Sequence, residues 1–211
     1  PEAPQAVSTA QLTELKLAVV RHLAEITSAI LLDPLYSAAQ AIVTGQLPGN
    51  VGLLCAMEEQ GYLGDPNSRR SPMLAGWDVE KTKRLGANGV KILLFYHPDA
   101  GEATEAAEEL VRSIAADCRR HDIPFFLEPI SYSVDPEIKK GPPPFARLRR
   151  HIVIETVRRL SALGPDVMKV EFPLDVHHDA DQAVWAEACA ELNDVCQTPW
   201  TLHLFAGQPD L

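Results

Sequence analysis

The stretch Asp166-Val167-Met168-Lys169-Val170-Glu171-Phe172-Pro173 decides how the rest of the chain is read. It is a short apolar run bounded by Gly164-Pro165 on one side and Pro173 on the other, the pattern of a buried strand. Side chains alternate along a strand, so Met168, Val170 and Phe172 fill one face while Val167, Lys169 and Glu171 share the other. A lysine seldom sits inside a sheet without a partner or a task. Burial favours its neutral amine, a nucleophile able to form an imine with a carbonyl compound; an ion pair with a nearby carboxylate is the competing account.

Outward from this strand the sequence alternates between two periodicities. Further strands are predicted over 28–34, 51–57, 89–96, 123–132 and 199–204, and helices over 77–85, 102–120, 145–163 and 181–195, with another helix ahead of the first strand. In the helix over 102–120, Ala106, Leu110, Ile114 and Cys118 recur at i, i+4 and make one apolar stripe. Gly86 is a stop signal for the helix before it. The segments 64–72 and 133–144 are long enough to be functional or mobile. Strands alternating with helices imply a parallel sheet, either doubly wound or a (β/α)8 barrel, with residues 1–211 read as one domain. No strand is followed by G-x-G-x-x-G or a Walker lysine motif, so nucleotide binding has no support.

Three charges interrupt the apolar strands: Lys91 in GVKILLFY, Glu128 in FFLEP, and Lys169. They are 37 and 41 residues apart, about one strand–helix unit each, which puts them on consecutive strands. A barrel draws its site from several strand ends, so inward-facing side chains at these positions converge. A nucleophilic lysine, a second cation that favours its neutral form and a carboxylate that shuttles protons are the parts of imine chemistry. Each also has a plainer reading: Lys91 as a snorkelling strand cap, and Glu128 as a structural ion-pair partner. Glu171 is read first as an ion-pair partner on the face of Lys169, and Asp33, before Pro34, as a turn-forming carboxylate. His177-His178 read as solvated, and Arg147, Arg149, Arg150 and His151 as the solvated face of a helix, with a phosphate role as the lesser alternative.

Composition sets the bounds. With 19 Lys+Arg against 29 Asp+Glu, the net charge of −10 argues against a general nucleic-acid or anionic-membrane surface. The four cysteines, Cys55, Cys118, Cys189 and Cys196, have no C-x-x-C spacing, so neither a zinc site nor a disulfide framework is indicated. No long apolar run or signal peptide appears, and a cytoplasmic location is expected.

In these stretches the chain resembles the class I aldolases of the tagatose 1,6-bisphosphate aldolase group and the related sulfofructose-phosphate aldolases. The resemblance is carried by AILLDPLY (29–36), GLLCAMEEQGY (52–62), 77–96, 123–132, LNDVCQTPW (192–200) and, most specifically, the D-V-x-K-V-E-x-P strand. It implies a (β/α)8 barrel of TIM type and a lyase of carbohydrate metabolism. Such an enzyme reversibly cleaves a ketose phosphate, such as tagatose 1,6-bisphosphate, into dihydroxyacetone phosphate and glyceraldehyde 3-phosphate, without metal or other cofactor. Lys169 falls where the family has its Schiff-base lysine, Glu128 on its acid/base glutamate, and Lys91 on its assisting lysine. Gly207, in the stretch that answers to the family's phosphate turn, and Glu171 are the candidate substrate-binding residues.

The resemblance also implies a departure. The family's first strand, ending Asp-Gln-Arg, and its eighth, with a Gly-Arg turn, have no counterpart in the sequence, and its Ser-Ala-Gly turn reads Phe205-Ala206-Gly207. Barrel units two to seven are therefore expected, without the first and last strands. Open edges invite pairing, so a fragment of a longer protein, a homo-oligomer or a non-catalytic homologue are the alternatives. A sulfofructose phosphate substrate, or a different lysine-dependent barrel enzyme, also stays open. The expected partner is a small sugar phosphate rather than nucleic acid or membrane.

Overall fold

The structure, a computed structural model, describes residues 7–141 and 143–203. Six strands, β1 (Ala29–Leu32), β2 (Gly52–Ala56), β3 (Gly89–Tyr96), β4 (Phe125–Ser131), β5 (Val167–Glu171) and β6 (Trp200–His203), alternate with six helices. The helices are α1 (Thr9–Leu23), α2 (Ala38–Val43), α3 (Val79–Leu85), α4 (Glu102–Arg120), α5 (Pro143–Ser161) and α6 (Gln182–Val195). Every neighbouring pair of strands is parallel, in the order β1-β2-β3-β4-β5-β6, and the sheet curls into a half-barrel.

Local chemistry accounts for the helix boundaries. Ser8 and Gln11 form a reciprocal capping box at the start of α1, and Asp78 and Asp181 cap α3 and α6 through their carboxylates. Gly86 ends α3 in the left-handed conformation, with φ +93°, that a side chain would strain. β3 and α4 occupy the predicted spans, while α2, only six residues long, has too short a pattern to be read from sequence.

The two faces of the sheet are unlike. Leu53, Cys55, Val90, Ile92, Leu94, Phe125, Leu127, Met168 and Val170 are each no more than 1% exposed and form the core with the helices. That burial is the main source of stability, roughly 1.5–3 kcal/mol per large apolar side chain. The alternate residues Leu54, Leu93, Phe95, Phe126 and Val167 face the concave side and stay partly exposed, and Leu31 is exposed. Gly89 lies on this face because a Cβ there would meet the Leu54 and Phe126 side chains at under 3 Å. Among the described residues β1 and β6 each pair on one side only. None of the described helices is long and apolar enough to cross a membrane.

Candidate active site

Register explains how the charged residues come together. Lys91 lies beside Phe126 and Leu93 beside Glu128, so Lys91 and Glu128 share the concave face of β3 and β4. Phe126 pairs with Val167, which brings Lys169 to the same face of β5, and Lys169 and Glu171 pair with Thr201 and His203 of β6. Met168 and Val170 are fully buried on the opposite face, as the alternation predicts.

Glu128 is the hub. Its Oε1 is 2.7 Å from the Lys169 Nζ and 2.6 Å from the His203 Nδ1, and its Oε2 is 2.8 Å from the Lys91 Nζ. Lys91 also donates to Glu58, at 2.6 Å. The Glu128 and Lys91 side chains are only 3% and 7% exposed, whereas Lys169 retains 35%. The lysine that the sequence marks as nucleophile is therefore the one that a solute can reach. Burial alone would raise the Glu128 carboxyl, but His203, Lys91 and Lys169 outweigh it and hold the group well below the usual carboxylate range.

The structure brings Lys91, Glu128 and Lys169 together, answers the plainer reading of Lys91 and leaves its assisting role a proposal. Lys91 does not snorkel; it is locked between two carboxylates, with Glu128 interposed between it and Lys169. Two members of the network were not legible in sequence. Glu58 follows β2 in a Met-Glu-Glu run that looks like a loop, and His203 sits at the end of the short last strand. Their inward position depends on pairings with partners 33 residues or more away.

One layer toward the strand ends lies a second ionic cluster. Glu171 accepts from the Lys140 Nζ at 2.7 Å and from the Ser131 amide at 2.7 Å, and Arg149 approaches it at 3.5 Å. Full burial pushes the Glu171 carboxyl up, yet Lys140 and Arg149 hold it below its ordinary value. Glu171 is thus the ion-pair residue expected, which leaves its substrate-binding role a proposal. Arg149 departs from expectation: it turns inward, donating to the Phe172 carbonyl at 2.8 Å, while Arg147 and His151 are solvated. Gly207 lies outside the described residues.

The segment after β2 forms one wall at the strand ends, the side where barrel sites are built. Arg69 stacks over Tyr62, Phe95 and Tyr132, with ring centroids 4.4, 5.4 and 5.7 Å away. Asn67 donates to the Ser133 carbonyl, and the Phe95 amide donates to Ser71. Elsewhere, Asp33 is the turn carboxylate foreseen, accepting from the Tyr36 amide, Ser37 and Lys16. His177 and His178 are exposed. Cys55 and Cys118 are core residues whose thiols burial pushes up to about 11 and about 12, far from the reactive range.

Solved structures share this arrangement of strands and helices. An archaeal fructose 1,6-bisphosphate aldolase superposes with a TM-score of 0.59 at 17% identity, covering 90% of this chain and 63% of that one. The fructose-bisphosphate aldolase of Slackia heliotrinireducens gives a TM-score of 0.65 at 13% identity, covering 93% and 58%. At these identities the likeness is one of fold: the class is the TIM-type (β/α) barrel, here incomplete. Residues 3–207 match the DeoC/LacD family aldolases, and the chain belongs to that family. It is 36% identical over 170 residues to tagatose 1,6-diphosphate aldolase 2 of Streptococcus pyogenes, covering 79% of this chain and 50% of that protein. Tagatose 1,6-diphosphate aldolase 1 of Enterococcus faecalis is 35% identical over 174 residues, covering 81% and 52%. The chain spans about half the length of the curated relatives it matches.

Proposed function

We propose that this chain carries the imine-forming centre of an aldolase acting on a ketose phosphate such as tagatose 1,6-bisphosphate. The observation that carries the reading is the accessible Lys169 amine, 2.7 Å from a buried carboxylate that is itself fixed by Lys91 and His203. The Lys169 Nζ gives up a proton to the network and attacks the C2 carbonyl of the substrate. Loss of water from the carbinolamine leaves a protonated imine. As the C4 hydroxyl loses its proton, the C3–C4 bond breaks and its electron pair moves into the imine, giving an enamine and an aldehyde. Protonation at C3 and hydrolysis release dihydroxyacetone phosphate and restore Lys169. Glu128 is in reach of the atoms between which these protons move, and Lys91 and Glu58 keep it in place.

The test is cleavage of tagatose 1,6-bisphosphate, read by a coupled assay for dihydroxyacetone phosphate, in the chain and in its Lys169→Arg variant. Release by the chain and none by the variant supports the reading. Equal release, or none from either at saturating sugar phosphate, refutes it; binding without release identifies a non-catalytic homologue. The same assay with sulfofructose phosphate decides between the two substrate groups.

A further inference from the structure

Beyond the imine lysine, toward the strand ends, positive charge gathers in excess of the carboxylates that meet it. Lys140 donates to the Ser131 carbonyl at 2.8 Å and to Glu171 at 2.7 Å, and Arg149 lies 3.5 Å from the same carboxylate. Arg69 reaches this place from the segment after β2: its guanidinium lies over Tyr132, the residue next to Ser131, and over Tyr62 and Phe95. Burial, and after it the like charges of Arg149 and Arg69, push the Lys140 ammonium below its ordinary value against the pull of Glu171. Two cations thus contact one buried carboxylate, and a third stands close enough to act on Lys140, in a chain whose net charge is −10. Asp65, Asp135 and Glu137, on the same two segments, are exposed.

Arg69 is the cation with capacity to spare. Its Nε donates to the Pro66 carbonyl at 2.8 Å, and its two terminal amino groups have no acceptor among the described residues. The segment that carries it is pinned on both sides, since Asn67 donates to the Ser133 carbonyl at 2.8 Å and Ser71 accepts from the Phe95 amide at 2.8 Å. A guanidinium fork held over aromatic rings with its outer edge unpaired suits a tetrahedral oxyanion, which it can grip through two parallel N–H···O bonds. Glu171, the centre of the cluster, lies two residues beyond Lys169 on β5, a rise of about 7 Å. A ketose joined through C2 to Lys169 has its C1 phosphorus three bonds from that carbon and its C6 group up to six bonds away. The far end has the reach.

We propose that Arg69, with Lys140 as the second cation, seats the oxyanion at the far end of the ketose, the one that leaves on the aldehyde product. This deepens the aldolase reading above and rests on it. The oxyanion is a phosphate in tagatose 1,6-bisphosphate and a sulfonate in sulfofructose phosphate; each offers the fork several oxygens. Arg69 is then a specificity-determining residue, which selects an aldehyde that carries the anion over one that does not.

The experiment runs the reaction toward synthesis, with saturating dihydroxyacetone phosphate. The varied acceptor is glyceraldehyde 3-phosphate, its analogue with a sulfonate in place of the phosphate ester, or uncharged glyceraldehyde. Consumption of dihydroxyacetone phosphate gives kcat/KM for each in the full chain, in Arg69→Met and in Arg69→Lys, while borohydride trapping reports the adduct on Lys169. The native chain should prefer one charged aldehyde over glyceraldehyde by about 100-fold or more, as two charged contacts imply. In Arg69→Met, which keeps the stem against the rings, that preference falls by about 10–100-fold. In Arg69→Lys, which keeps the charge and loses the fork, it falls by less. A merely structural role lowers all three acceptors together and leaves the preference where it was. A native chain that does not distinguish the aldehydes overturns the proposal, whether or not the variants fold. So does an unchanged preference in both variants, and so does an adduct on Lys169 without product from any acceptor; in each case the trapped lysine leaves the imine centre standing. Absence of any adduct in the native chain removes the aldolase reading and this inference with it.

Discussion

Replacing Lys91 by methionine, which keeps the length of the side chain and removes its charge, exposes the energetics of the buried network. Lys91 makes two short charged contacts, 2.6 Å to Glu58 and 2.8 Å to Glu128, with all three side chains at most 11% exposed. Removing one member of a buried ion pair costs about 3–5 kcal/mol, because a charge is left without compensation. Glu128 keeps Lys169 and His203, so the stranded group is Glu58, and the expected loss is at the lower end, about 3 kcal/mol. For a protein of this size that lowers Tm by about 6–12 °C. With an m-value of about 2–3 kcal/mol/M, the urea midpoint falls by about 1 M. Urea unfolding of both proteins at pH 7.5 is the assay. A fall under about 0.3 M refutes the network's role in stability.

Three further outcomes follow from the same contacts. Glu171→Gln should lose about 2–4 kcal/mol at pH 7 and make the segment 132–141, tied down through Lys140, sensitive to limited proteolysis. The native Glu171 carboxyl lies below its unfolded value of about 4.3, so its contribution is present above that pH and is lost as pH falls through the folded value. The difference in stability between variant and native chains should accordingly begin to shrink as pH falls below about 4.3 when followed by circular dichroism. Gly86→Ala should cost about 1 kcal/mol, read as a drop of about 2–4 °C in Tm, since the residue adopts φ +93° with no neighbour to relieve the strain.

The legible and illegible parts of this protein differ for a physical reason. β3 and α4 are long and strongly patterned, and Gly86, which ends the helix ahead of β3, and Gly101, which immediately precedes α4, mark where they begin, so their spans follow from local sequence. Lys91, Glu128 and Lys169 stood out because a charge inside an apolar strand contradicts its surroundings, and the parallel register then brings them together. Glu58 and His203 offer no such contradiction: one adjoins a second glutamate in a loop, the other ends a four-residue strand. Lys140 is one lysine of a polar loop and Arg149 one arginine of a basic helix face. Their common partner, Glu171, is reached only after the loop has folded back. Long-range partners of exposed-looking charges are set by tertiary structure, and no local pattern records them.

The central claim is that Lys169 forms an imine, and the most direct measurement is covalent trapping. The chain is incubated with dihydroxyacetone phosphate, reduced with borohydride, digested and mapped by mass spectrometry. The account predicts a single adduct on the peptide containing Lys169. An adduct on Lys91 instead, or none in a sample whose circular dichroism shows it folded, contradicts it.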